Sequence, residues 1–288
     1  MGAMDERPLP DADAVAVLPP GLFAGRTALV TGGGSGIGRV IARRFAALGA
    51  AVVVAGRHAE TLDETRALIE GAGSVCLPHV ADIRDTAQVE ALVAATVAHF
   101  GGVDFLVNNA GGQFPARPSE ISDRGWRAVI DLNLNGTWNV CSRVGPRMVE
   151  QGFGAVVNIV HIYALERGAF YFAHSGAARA GVINLTRTLA NYWARHGVTV
   201  NAIAPGDIET RALREKEYAV MGLDSAHEAL HKRNIPAHRA GTPEEVAESC
   251  AFLCSPATRH INGIVLVLDG GQSLHNWQEP PDWDMERP

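Results

Sequence analysis

Basic residues and long apolar runs are both scarce in this chain of 288 residues. Lysine and arginine together number 25 against 31 acidic residues, a net charge of −6, so the sequence lacks the basic stripe that would meet nucleic-acid phosphates. No apolar run approaches the ~20 residues of a membrane helix, and the N-terminus lacks the basic and apolar regions of a signal peptide. We therefore expect a cytoplasmic protein that binds neither nucleic acid nor membrane.

Cysteine is also scarce, with four residues and no Cys-x-x-Cys pair. Cys76 and Cys141 stand alone, whereas Cys250 and Cys254 are four apart and would share one face of a helix. Small buried thiols explain this pattern better than a metal site does. We expect no bound metal and a reducing compartment in which the thiols stay free.

Apolar residues make up 47% of the chain and fall into short continuous runs between segments of helical period. The predicted strands cover residues 27–30, 51–55, 74–79, 105–107, 155–159, 199–203 and 264–268, and the predicted helices cover 37–48, 59–71, 86–100, 124–151, 175–196 and 243–254. Continuous runs indicate strands buried on both faces, and helices between strands indicate parallel pairing. The sequence thus predicts one Rossmann-like α/β domain, a doubly wound parallel sheet of about seven strands with helices on both faces.

The rest of the chain divides around this predicted domain, which we place at residues 21–275. Residues 1–20, rich in proline, alanine and aspartate, predict a flexible N-terminal extension. Residues 207–240 are charged and irregular, which is typical of a substrate lid. Residues 276–288 form a C-terminal tail that either packs on a neighbouring subunit or is mobile.

A glycine-rich segment follows the first predicted strand and opens the first predicted helix. Gly32, Gly36 and Gly38, with Ser35 and Ile37 between them, allow a tight turn and a close approach of the backbone to a pyrophosphate. The helix N-terminus adds free N–H groups and the positive end of the helix dipole. This context predicts a dinucleotide site.

The end of the second predicted strand indicates which dinucleotide binds. NAD-binding proteins usually place an acid there to bind the ribose 2′-hydroxyl, but this chain has Gly56 followed by Arg57. A guanidinium suits a 2′-phosphate, so NADP(H) is the expected cofactor, unless Arg57 is simply a solvated surface residue.

Several further motifs resemble those of the short-chain dehydrogenase/reductase family. They are Asn108-Asn-Ala-Gly111 after the fourth strand, Asn133 within a helix, Ala204-Pro-Gly206 after the sixth strand and Asp269-Gly-Gly271 after the last. The resemblance covers about residues 24 to 273. It implies a nicotinamide-dependent oxidoreductase that assembles as a homotetramer or homodimer through the helical regions 124–151 and 175–196.

The same resemblance implies which residues hold the cofactor. Asp82 and Ile83 would contact the adenine. The other implied cofactor contacts are Asn109, Ala110, Gly111, Arg179, Pro205, Gly206 and Thr210.

The Tyr-x-x-x-Lys pair that most of this family uses for catalysis is absent. Four residues after the four tyrosines 163, 171, 192 and 218 stand Arg167, Ser175, His196 and Gly222. The chain has only two lysines, Lys216 and Lys232, and both fall in the irregular segment 207–240. The usual carbonyl-reducing machinery is therefore not present as written.

Residues 174–182 and the step Ile162-Tyr-Ala164 resemble peroxisomal trans-2-enoyl-CoA reductases and 2,4-dienoyl-CoA reductases. That likeness implies an NADPH-dependent reduction of a C=C bond conjugated to an acyl-CoA or similar thioester. Hydride addition leaves an enolate oxygen that needs hydrogen-bond donors and an α-carbon that needs a proton. Tyr163 and Ser175 would supply hydroxyls, Asn133 or Asn135 an amide, and Arg179 a positive charge near the ribose.

Each of these roles has an alternative. Tyr171, four residues before Ser175, is a second candidate proton donor, and Tyr163 would then be part of the pocket wall. Ser175 would serve only as a helix N-cap. His161 and His174 flank the site, and a structural role is favoured over a catalytic one for each. The activity could instead be carbonyl or 3-ketoacyl reduction without lysine, or the protein could bind NADP without catalysis. The arginines of 207–240 would meet a CoA phosphate or face solvent.

Overall fold

Seven parallel strands lie side by side in the order β3-β2-β1-β4-β5-β6-β7. This computed structural model describes residues 18–166, 168, 170–211, 213 and 235–274. The strands are β1 Thr27–Thr31, β2 Ala51–Gly56, β3 Cys76–Val80, β4 Phe105–Asn108, β5 Gly154–Ile159, β6 Val198–Pro205 and β7 Val265–Leu268. Chain order reverses between β1 and β4, which makes the crevice above these two strands the expected ligand site of a doubly wound sheet.

Seven helices cover the two faces of the sheet in the described part of the chain. They are α1 Gly36–Ala47, α2 Ala59–Glu70, α3 Thr86–Phe100, α4 Asp123–Ile130, α5 Gly136–Gln151, α6 Ala173–Trp193 and α7 Pro243–Cys254. Helices α1, α2 and α7 pack on one face, and α3, α5 and α6 pack on the other. The predicted Rossmann-like fold is thus confirmed.

Strand β1 shows why continuous apolar runs pair in parallel at the centre of this sheet. Leu29 packs into the core beneath α3, α5 and α6, whereas Val30 packs into the core beneath α1, α2 and α7. Both side chains are fully buried. Because each face of the strand meets an apolar layer, a polar residue at either position would lose its hydration without a partner.

The predicted helix over 124–151 is interrupted by one wide turn. A π-helical turn at Asp131–Asn135 separates α4 from α5. A hydrogen bond from the side-chain amide of Asn133 stabilises this turn, because Nδ2 donates to Val129 O at 2.9 Å. Such single π turns are common at functional sites, since they rotate one side chain out of the regular helical spacing.

Helix α6 begins at Ala173, two residues before the predicted start, and its N-cap is Phe172. Ser175 therefore lies inside the first turn, and the alternative in which it serves only as the N-cap is wrong. At the other end, a 3₁₀ turn at Ala194–His196 completes the predicted span.

All four cysteines are free and buried, as predicted. Among the described residues, no helix is long and apolar enough to cross a membrane, and no cluster of three or more potential metal ligands occurs. Residues 1–17, 167, 169, 212, 214–234 and 275–288 lie outside the description. The predicted extension, lid and tail fall largely on those residues, and so do both lysines.

Candidate active site

A cavity of about 330 Å³ opens at the carboxyl ends of β4, β5 and β6. Its walls come from the loops that follow those strands, from Ile37 at the start of α1, and from Ser175 and Arg179 on α6. Parallel strands bring the loops at their carboxyl ends together, so residues distant in sequence meet here. The cavity therefore adjoins the crevice above β1 and β4, where the strand order predicts a dinucleotide.

The glycine turn beside this cavity leaves the N-terminus of α1 open. Gly32 and Gly36 adopt positive φ angles of 65° and 50°, which residues with side chains rarely adopt. Ser35 is the N-cap, yet in the described structure its exposed side chain caps no amide of α1, and the first turn carries no acid. An open N-terminus with unused N–H groups fits the pyrophosphate of a dinucleotide.

The glycine turn is tied to the residues after β4 by reciprocal hydrogen bonds. The Thr31 hydroxyl accepts from the backbone N–H groups of Asn109 and Ala110, each at 3.1 Å. In return, Asn109 Nδ2 donates to Thr31 O at 3.1 Å. A Cβ on Gly38 would overlap Gly32 O and the Asn109 amide. These bonds hold the turn and the Asn-Asn-Ala-Gly element in one fixed arrangement.

Arg57 and Asp82 lie near each other, where the adenosine half of a dinucleotide would rest. Arg57 is exposed just after β2. The pKa of Asp82 is lowered chiefly by its hydrogen bonds with Arg84, and the positive charge of Arg57 contributes. Ile83 is buried, and its side chain fills the space that a Cβ on Gly136 would need. Because residue 56 is glycine, no carboxylate at that position would repel a phosphate bound to Arg57.

Asn133, in the π turn, anchors the loop after β4. Its Nδ2 donates to Gly112 O at 2.7 Å and to Val129 O, and its Oδ1 accepts from Gly112 N at 3.2 Å. Both amide hydrogens are thus used on backbone carbonyls. We therefore expect Asn133 to position Gly112 and not to donate to a substrate. Asn135 is exposed and bonds Asp131 at 2.8 Å, so it does not contribute to the cavity wall.

Arg179 brings a positive charge into the cavity without an acidic partner among the described residues. Only 6% of its surface is exposed, and one guanidinium nitrogen donates to Ile159 O at 2.6 Å. Burial lowers the pKa of Arg179 to about 10, which still leaves it charged at neutral pH. A Cβ on residue 111 would overlap this guanidinium, so Gly111 is required to make room for it.

Ser175 lies at the centre of a short polar chain in the same cavity. Its hydroxyl donates to Gln113 Oε1 at 2.7 Å and lies 2.8 Å from His161 Nε2. His161 is half-buried as a residue, and protein atoms surround most of its ring, including Nδ1. This burial and, secondarily, the charge of Arg179 lower the pKa of His161 to about 3. The ring is therefore uncharged at neutral pH.

The two candidate tyrosines differ in position. Tyr163 lines the cavity and stacks on Phe172, with ring centroids 5.4 Å apart and planes within 7°. Tyr171 lies outside the cavity wall, is 36% exposed and packs edge-on against Phe170. This difference favours Tyr163 as the residue that meets a substrate.

Pro205, Gly206 and Thr210 line the cavity on the β6 side. The Thr210 hydroxyl accepts from Leu213 N at 3.1 Å. A Cβ on Gly206 would overlap the Gln272 side chain, so this turn approaches the C-terminal segment closely.

Sequence reasoning gave Gln113 no role and treated His161 as structural. Both line the cavity and both bond Ser175. Each lies within five residues of the end of a parallel strand, β4 for Gln113 and β5 for His161. That position in the sequence could have identified both as candidate site residues, because loops at the carboxyl ends of parallel strands line the ligand crevice.

Comparison with known proteins extends the similarity to nearly the whole chain. Residues 32–273 match the family model described as Enoyl-(Acyl carrier protein) reductase. A Caenorhabditis elegans protein named as a probable 2,4-dienoyl-CoA reductase 3, (3E)-enoyl-CoA-producing, is 36% identical over 283 residues, 94% of this chain and 91% of that protein. The cis-4-hydroxycyclohexanecarboxylate dehydrogenase of Sinomonas cyclohexanicum is 40% identical over 251 residues, 86% of this chain and 97% of that protein.

Solved structures agree with the sequence relatives. An actinorhodin polyketide ketoreductase with NADPH is 35% identical and superimposes with a TM-score of 0.82, covering 86% of this chain and 97% of the ketoreductase chain. Similarity of this extent, on the same fold, shows that the chain belongs to the short-chain dehydrogenase/reductase family and is one of its oxidoreductases.

Proposed function

We propose that this oxidoreductase uses NADPH to reduce the C=C bond of a trans-2-enoyl thioester of the acyl-CoA type. The observation that supports this proposal most is the pair on α6. The Ser175 hydroxyl and the buried Arg179, which has no acidic partner among the described residues, occupy the spacing of the usual tyrosine and lysine. Within the described part of the chain, the cavity thus offers donors and charge for an oxyanion, but no lysine-activated tyrosine for an alkoxide.

This difference bears on the type of bond that is reduced. Reducing a ketone requires a proton on the oxygen that becomes an alkoxide, which serine, with its very high pKa, transfers poorly. Reducing a conjugated C=C bond requires only hydrogen bonds to the enolate oxygen, while the α-carbon takes the proton. Ser175 suits the second task, and Arg179 stabilises the same negative charge.

The described residues fit the dinucleotide, which supplies the hydride when bound. Gly32, Ser35, Gly36, Ile37 and Gly38 would hold the pyrophosphate at the open end of α1. Arg57 would pair with a 2′-phosphate, and the absence of a side chain at Gly56 supports NADP(H) over NAD(H).

The remaining contacts complete the proposed cofactor site. Asp82 and Ile83 would meet the adenine. The residues proposed for the rest of the cofactor are Asn109, Ala110, Gly111, Arg179, Pro205, Gly206 and Thr210.

Within the cavity, Ser175 would donate to the thioester oxygen and Tyr163 would protonate the α-carbon. Tyr163 is the proposed donor because it lines the cavity, whereas Tyr171 does not. Asn133 would keep the Gly111–Gly112 backbone in place, which preserves the space that the Arg179 guanidinium occupies.

Carbonyl reduction is the second candidate function, because one relative is named as a dehydrogenase of a hydroxycarboxylate and another as a ketoreductase. We further propose a substrate lid in residues 207–240, a cytoplasmic location and a homotetramer or homodimer. The helices expected at the subunit contact carry exposed aromatic residues, Trp126 on α4, Trp138 on α5 and Tyr192 on α6, which supports that assembly.

The deciding experiment follows NADPH oxidation with a medium-chain trans-2-enoyl-CoA beside the matching 3-ketoacyl-CoA. Turnover of the enoyl substrate at a higher kcat/KM is the expected result. Turnover of the keto substrate alone would refute the proposal in favour of a lysine-free carbonyl reductase. The same assay with NADH tests cofactor choice, and a preference for NADH would refute the role of Arg57.

A further inference from the structure

The Ser175 hydroxyl has two close neighbours but only one hydrogen to share. That hydrogen goes to Gln113 Oε1 at 2.7 Å, while His161 Nε2 lies 2.8 Å from the same oxygen. The contact with His161 must then be a hydrogen bond that the ring donates. His161 consequently carries its hydrogen on Nε2, and Ser175 accepts from one neighbour and donates to the other.

The opposite side of the ring agrees with this tautomer. His161 Nδ1 is buried and makes no hydrogen bond of good geometry among the described residues, and the backbone of His161 itself exerts only a weak pKa-raising effect on the ring. A hydrogen on Nδ1 would be an orphaned donor, and a second hydrogen on the ring would add a positive charge near Arg179. The other ionisable neighbours are Tyr163, whose ring centroid lies 5.3 Å from that of His161, and Asp207, which lines the same cavity.

We infer that His161 and Gln113 are positioning residues that hold the Ser175 hydroxyl as a donor aimed at the substrate oxygen. The Nε2–H group occupies the acceptor side of Ser175, so the serine hydrogen cannot turn toward the ring. Gln113 Oε1 takes that hydrogen until a substrate oxygen enters the cavity, and the hydroxyl then rotates to the substrate. The inference rests on the proposed function only for the identity of that oxygen.

A double-mutant cycle tests whether His161 acts through Ser175. With trans-2-enoyl-CoA, Ser175→Ala should lower kcat on the order of 10²–10³-fold, and His161→Leu about tenfold, with little change in the Kd for NADPH. In the Ser175→Ala background, His161→Leu should cost less than about twofold, because the bonded hydroxyl is gone. The same tenfold loss in both backgrounds would overturn the inference. His99→Leu, at an exposed position on α3, is the matched control.

Two isosteres locate the critical ring atom. His161→Gln keeps an N–H near the position of Nε2, whereas His161→Asn places its amide near Nδ1. Retention of several-fold more kcat by the glutamine variant is expected, and equal activities would count against a role for Nε2.

A substrate-independent measurement separates this inference from the proposed function. Ring ¹⁵N chemical shifts of histidine distinguish the Nε2–H tautomer, the Nδ1–H tautomer and the cation. The His161 signal should report a neutral Nε2–H ring from about pH 5 to 8 in the wild type. An Nδ1–H ring, or protonation near pH 6.5, would overturn the inference even if enoyl reduction is observed. A neutral Nε2–H ring without enoyl turnover would leave the inference standing and refute the proposed function.

Discussion

Replacing Arg179 with methionine should lower activity sharply without destabilising the protein. Burial lowers the pKa of this guanidinium from 12.5 to about 10. The folded state thus disfavours its charged form by about 3 kcal/mol, and this cost is present in full at neutral pH. Arg179→Met removes that cost, but it also removes the bond to Ile159 O, worth about 1.5–3 kcal/mol for a charged donor. The free energy of unfolding should therefore increase by about 0–1.5 kcal/mol in Arg179→Met.

Thermal unfolding with and without cofactor measures both halves of this prediction. A gain of that size would raise Tm by no more than about 6 °C for a domain of this length. NADPH should raise the Tm of the wild type more than that of Arg179→Met, because the variant loses part of the binding free energy. A fall of more than about 6 °C in the variant without cofactor would refute the reasoning, since Arg179 would then be a structural residue. Arg187→Met, on the same helix but outside the cavity wall, is the control.

Three further outcomes are expected. Gly111→Ala should destabilise the fold by about 1–3 kcal/mol in a denaturant titration and abolish most turnover, because its Cβ overlaps the Arg179 guanidinium. Full activity in this variant would contradict the described position of Arg179. Arg57→Ala should raise the Kd for NADPH about tenfold or more and leave the Kd for NADH nearly unchanged, as checked by fluorescence titration. Tyr163→Phe should lower kcat about 10²-fold or more, whereas Tyr171→Phe should change it little; the reverse order would assign the proton to Tyr171.

The fold was predictable because its determinants are local. The apolar runs at β1, β2 and β5 each mark a strand within one residue at either end, and α7 has the predicted bounds of 243–254. The glycine turn was equally predictable, because glycine is the residue that most readily adopts the positive φ angles found at Gly32 and Gly36. These signals need no knowledge of distant contacts.

The catalytic arrangement was only partly predictable because it depends on the order of the strands. Gln113 and Ser175 are 62 residues apart in sequence, and only the adjacency of β4 and β5 brings them together. The π turn was missed because helical periodicity continues on both sides of Asp131–Asn135 and carries no sign of the extra residue. The position of Ser175 within the first turn of α6 was missed for a related reason, since helix ends are the least certain part of a periodic pattern.

The four buried thiols make the chain its own reporter of unfolding. Thiol reagents attack the exposed thiolate, and burial raises the pKa of both Cys76 and Cys141 to about 12. Cys76 lies on the edge strand β3, Cys141 on α5, and Cys250 and Cys254 on α7, which packs on the opposite face of the sheet from α5. Labelling of the native protein followed by peptide mapping would therefore show, region by region, which layer opens first, without any engineered probe.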